Sequence, residues 1–85
     1  MRGNAMSDTT IEEKLHQAIA TAITDAQIEV QTGQGGHYSL KVLSDSFDGL
    51  STLERHRKVL SSIKELMAGD NAPVHAIDQI IARTP

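Results

Sequence analysis

From Thr10 onward the apolar positions fall three and four apart: Ile11, Leu15, Ala18, Ile19, Ala22 and Ile23. That spacing lines one face of an α-helix. Thr10 with Glu13 makes a capping-box pair at its start, and Thr9 with Glu12 offers the register one residue earlier. The cap satisfies a free backbone N–H, and the acids suit the positive end of the helix dipole. Thr24 and Asp25 mark the end. The period then changes to two. Ala26, Ile28 and Val30 alternate with Gln27, Glu29 and Gln31, which predicts a half-buried strand. Gly33-Gln34-Gly35-Gly36 reads as a flexible turn that lets His37 move. Tyr38, Leu40 and Val42, alternating with His37, Ser39 and Lys41, predict a second strand that closes an antiparallel hairpin.

Ser44 to Leu50 has no period and reads as an irregular connection, anchored by Phe47 and turning at Asp48-Gly49. Ser51 with Glu54 is a second capping box. The helix it opens carries an apolar stripe of Leu53, Val59, Leu60, Ile63, Leu66 and Met67, and Gly69-Asp70-Asn71 with Pro73 ends it. Val74 to Ala82 predicts a third strand, whose weak alternation suggests cover on part of both faces. The order is αββαβ. The last three elements make a βαβ unit, so the second and third strands should be parallel, with a right-handed crossover. The expected fold is α+β: a three-stranded mixed sheet with both helices on one face. Residues 1–8 are expected to be a disordered segment, with Met6 an alternative start, ahead of one domain over 9–85.

Composition narrows the function. A chain of 85 residues builds a modest core and leaves little room for a deep catalytic cleft. No Ser/His/Asp arrangement or HExxH motif is present, and no enzyme activity is expected. A net charge of −3 argues against purely electrostatic nucleic-acid binding. Tyr38 and Phe47 are the only aromatic residues, too few for a base-stacking platform. There is no cysteine, so the chain cannot supply the thiolates that iron–sulfur clusters usually require. No apolar run reaches membrane-spanning length, and the first eight residues lack a secretory apolar region, so the expected location is the cytoplasm. Gly33 to Gly36 formally spell GxxG, which KH domains use between two helices to clamp nucleic-acid backbone. Here it joins two strands, and no helix follows as a P-loop would need.

Histidines carry the remaining chemistry. His37 opens the second strand and His75 the third. In adjacent parallel strands those starts share one sheet edge, about 4.8 Å apart. Two convergent neutral imidazoles form half of a metal site, since a closed site usually takes four ligands. The alternative is a pair of ordinary strand-end histidines. His56 falls near the centre of the second helix's apolar stripe, where a histidine is more often buried and structural. Arg55 and Arg57 flank it, as phosphate contacts or as solvated helix edges. His16 lies off the apolar face of the first helix and is assigned no role.

Several separated motifs stand in one order: Phe47-Asp48-Gly49-Leu50-Ser51, Arg55-His56-Arg57 with Val59 and Leu60, Val74-His75-Ala76-Ile77, and a closing Thr84-Pro85. This series resembles the BolA family over about residues 10 to 85. The resemblance implies a class II KH-like αββαβ domain that pairs with a monothiol glutaredoxin and shares a [2Fe–2S] cluster with it, in cluster trafficking or iron regulation. The glutaredoxin would bring a cysteine and a glutathione thiol. This chain would bring His75 and, from the hairpin, His37, and would hold no cluster alone. The family's other described activity, DNA-binding transcriptional regulation of stress response and morphology, would use Arg55, Arg57, Lys58 and Lys64. A weak homodimer is a further partner expectation; a membrane is not.

Overall fold

The computed structural model describes residues 10–85, in the element order α1 (Ile11–Ala22), β1 (Gln27–Thr32), β2 (His37–Leu43), a 3-10 turn (Asp45–Phe47), α2 (Thr52–Ser62), α3 (Lys64–Met67) and β3 (Ala76–Arg83). The expected disorder of residues 1–8, Met6, and the alternative cap at Thr9 lie outside the described residues. Thr10 caps α1 reciprocally: the Glu13 N–H donates to its Oγ1, and its own N–H donates to Glu13 Oε1, each at 3.1 Å. Ser51 and Glu54 repeat the arrangement on α2 at 3.1 and 2.8 Å.

The sheet order is β1-β2-β3, with β1 antiparallel and β3 parallel to β2. The inward face of β2 presents Tyr38, Leu40 and Val42, all buried. Leu15, Ile19 and Ile23 from α1 and Val59 and Ile63 from the second helical segment close the core over them, with Phe47 and Val74 filling its ends. The opposite sheet face, with Glu29, Gln31, Lys41 and Gln79, is exposed. The α+β class, the mixed sheet and the helical layer on one face are as the alternation predicts.

Three local expectations change. First, the second helix is interrupted at Ile63, whose φ of −115° departs from helix, so α2 and α3 are separate. Its apolar stripe also turns. Leu53 is 59 % exposed and Leu60 36 %, while Val59 and Ile63 are buried. At about 100° per residue, Leu60 sits roughly a quarter-turn from Val59 and Leu53 lies beside Leu60. The core faces Val59, so His56 is half-buried rather than central.

Second, β3 begins at Ala76, not Val74, and its weak alternation does not come from cover on both faces. The register jumps: Tyr38 pairs with Ile77, but Ser39 pairs with Gln79. Asp78 is an extra residue, a bulge that resets the strand's phase. Ile77 faces the core before it, and Ile80 and Ala82 face it after. Asp78 and Gln79 are both exposed.

Third, the Gly33–Gly36 turn ties His37 down. The Gly33 N–H donates to the His37 carbonyl at 2.7 Å, and the His37 N–H to the Gln34 carbonyl at 3.3 Å.

Candidate functional site

His37 and Ala76 are register partners, so His75 stands one residue before the partner of His37. The N–H groups of His75 and Ala76 both donate to the Gly36 carbonyl, at 2.9 and 3.3 Å. One carbonyl of the hairpin turn thus anchors the start of β3 beside the start of β2. Gly36 has φ +82°, and a β-carbon there would meet the His75 ring at 2.9 Å. Glycine is required twice over, by the backbone conformation and by the close approach of the imidazole. Both histidines are exposed, and they share this corner of the sheet.

The His37 Nδ1 lies 2.8 Å from Asp78 Oδ1. An ionised carboxylate can only accept hydrogen bonds, so Nδ1 carries the hydrogen, and in the neutral imidazole Nε2 keeps its lone pair. Carboxylate behind one ring nitrogen and a free lone pair on the other is the usual state of a metal-ligating histidine. The bulge supplies this carboxylate. Asp78 is absent from the sequence-based site, although one residue out of phase between Ile77 and Ile80 is the trace that a bulge leaves in a strand pattern.

Two histidines and one engaged aspartate do not make a closed metal site. Among the described residues no group of three or more His, Asp or Glu could hold a metal ion. The chain has no cysteine to add. The two histidines are therefore at most part of a donor set, and any thiolate ligand beside them would come from another molecule.

The four basic residues of α2 and α3 are not equivalent. Arg55 is half-buried, and its guanidinium donates from Nε to the Leu50 carbonyl at 3.0 Å and from Nη1 to the Ala82 carbonyl at 3.3 Å. It ties the loop before α2 to β3. Arg57, Lys58 and Lys64 are exposed. Each of the first two has an acid nearby: Asp25, lowered first by the Ser44 hydroxyl, is lowered a little further by Lys58, and Glu54, lowered first by the Ser51 N–H, a little further by Arg57.

A second polar cluster joins β2 to α1. Ser44 is fully buried, and its hydroxyl donates to Asp25 Oδ1 at 2.6 Å and lies 2.7 Å from the Ser46 hydroxyl. Asp25 Oδ2 accepts from the Asp45 N–H at 3.0 Å. The Ser44 hydrogen bond is the main cause holding the Asp25 carboxyl below its ordinary value. No histidine touches this serine, and its partners make it a structural clamp.

No helix among the described residues is long and apolar enough to cross a membrane. Fold and corner together define a small α+β domain with two exposed histidines at one corner of a mixed three-stranded sheet. The profile of the BolA family, described as BolA-like protein, matches residues 6–85, and the chain belongs to that family. BolA-like protein 1 of Bos taurus is 39 % identical over 83 residues, covering 92 % of this chain and 58 % of its own length. The chain thus spans less than two thirds of that relative. The structure of a bolA protein homologue from Coxiella burnetii superposes with a TM-score of 0.72 at 27 % identity, covering 91 % of this chain and 92 % of the other. The BolA domain of SufE1 from Arabidopsis thaliana gives a TM-score of 0.72 at 26 % identity, covering 91 % and 94 %.

Proposed function

We propose that this domain binds a monothiol glutaredoxin and lends His75 and His37 to a [2Fe–2S] cluster whose thiolates come from the glutaredoxin and glutathione. The observation that carries the reading is the shared corner: two exposed histidines at strand starts joined through the Gly36 carbonyl, one of them with Nδ1 engaged by Asp78. A chain without cysteine can serve such a cluster only beside a thiol-bearing partner. When bound, the cluster would supply one-electron chemistry and a transferable iron–sulfur unit. The residues of this chain orient and hold; they carry out no bond-making step, and the domain acts as an adaptor rather than an enzyme.

The test is absorption and circular dichroism of the protein mixed with a monothiol glutaredoxin, glutathione, iron and sulfide. Wild type is compared with His37→Ala and His75→Ala. The expected result is a spectrum distinct from that of the glutaredoxin alone, altered by either substitution. A spectrum identical to that of the glutaredoxin alone would reject the reading. In that case DNA binding through the exposed Arg57, Lys58 and Lys64 becomes the reading to pursue, measured by the salt dependence of binding.

A further inference from the structure

We infer that Asp78 is a positioning residue for His37: its carboxylate fixes the neutral ring as the Nδ1–H tautomer and so leaves Nε2 as the atom available to iron. The inference rests on the cluster-sharing reading. It is carried by the bulge. A regular register would continue from Tyr38–Ile77 to Ser39–Asp78, setting Asp78 opposite Ser39 as an ordinary outward residue of the strand. The extra residue instead leaves Asp78 unpaired and brings its carboxylate to 2.8 Å from the His37 Nδ1. Bulges commonly re-aim a side chain beside a functional site.

Exposure separates positioning from stabilisation. The His37 and Asp78 side chains are 46 % and 55 % exposed. An ion pair or hydrogen bond so open to water contributes little to folding. What it does change is the distribution between two tautomers. Which ring nitrogen is free for a metal is set by the bond the other makes. Without an acceptor at Nδ1, the hydrogen can sit on either nitrogen, and part of the population presents no lone pair at Nε2. With the carboxylate in place the ligand is ready before the partner arrives. The same carboxylate also sets a negative charge behind the ring, which makes the imidazole a stronger donor.

Asp78→Asn keeps an acceptor oxygen for Nδ1–H and removes the charge. Asp78→Ala removes both. The first measurement needs no cluster: long-range proton–nitrogen NMR of the free protein, at a pH where the imidazole is neutral, reads the His37 tautomer directly. Wild type and Asp78→Asn are expected as Nδ1–H, and Asp78→Ala as a mixture or Nε2–H. The second measurement is retention of the mixed cluster with a monothiol glutaredoxin and glutathione, followed by circular dichroism during chelation. Asp78→Ala is expected to lose it about tenfold faster, with Asp78→Asn closer to wild type.

A His37 tautomer unchanged by Asp78→Ala overturns the inference, as does an equal rate of cluster loss in that variant. In either case the cluster-sharing reading stands if wild type still forms the mixed cluster. If the tautomer responds as expected but wild type forms no mixed cluster, the cluster-sharing reading falls, and the iron-facing role of Asp78 falls with it.

Discussion

A β-carbon on Gly36 would lie 2.9 Å from Cγ of His75, closer than non-bonded carbons approach. The hairpin turn and the residue before the third strand are therefore fitted to each other at the corner that carries both histidines. Gly36→Ala must both strain a φ of +82° and push the imidazole away. It should cost about 1–3 kcal/mol in urea denaturation and shift the His75 ring resonances. Gly35→Ala is the comparison. It has a φ of +66° but open space for the methyl, so it should cost about 1–2 kcal/mol and leave His75 where it is.

The second helix offers a direct test of which face it buries. Ile63→Ala empties a fully buried site and should lose about 2–5 kcal/mol. Leu53→Ala removes a side chain that is 59 % exposed and should stay within about 0.5 kcal/mol of wild type. Chemical denaturation of the two variants reads the difference.

Arg55 should behave as a structural residue. Losing its bonds to the Leu50 and Ala82 carbonyls in Arg55→Ala should cost about 1–3 kcal/mol. Arg55→Lys should recover only part of it, because an ammonium cannot reach both carbonyls with a planar fork. Unchanged melting in Arg55→Ala would show that these bonds add nothing to the fold.

Acid should loosen the link between α1 and β2. Asp25 is lowered from 3.8, first by the Ser44 hydroxyl, and Glu54 from 4.5, first by the Ser51 backbone N–H. A carboxyl whose folded pKa is depressed binds its proton more readily when unfolded. Its stabilisation is complete above the ordinary value and is lost as pH falls through the folded one. Stability should therefore decline below about pH 4.5, with the Asp25 share lost below 3.8. Asp25→Asn should be less stable at neutral pH, because its amide N–H₂ faces one of two donors, and should show a flatter acid limb. Thermal melts at stepped pH measure both.

Much of this fold could be read from the chain because period and capping agree. The alternation around Tyr38, Leu40 and Val42 fixes the inward face of β2, and both capping boxes form as their spacing requires. The second helix was less legible. Its apolar residues spread too far around the axis for a projection to choose a face, and the sheet, through Val59 and Ile63, makes the choice. The corner of His37 and His75 followed from topology, since parallel neighbours begin at the same edge. Asp78 did not follow, because strand patterns assume an unbroken period and a bulge breaks it. Arg55 looked like a surface charge because its acceptors, the Leu50 and Ala82 carbonyls, are backbone atoms.

In a three-stranded sheet with β2 in the middle, β3 is an edge eight residues long, rich in isoleucine. Such an edge invites another chain to add a strand and grow an aggregate. Two features already described stand against this. The bulge at Asp78 bends the edge and sets a negative charge on it, and Arg55 occupies the Ala82 carbonyl near its far end. The stretch left for a docking strand is short and interrupted. The chain, with no cysteine for a disulfide, thus guards this sheet edge with its own side chains.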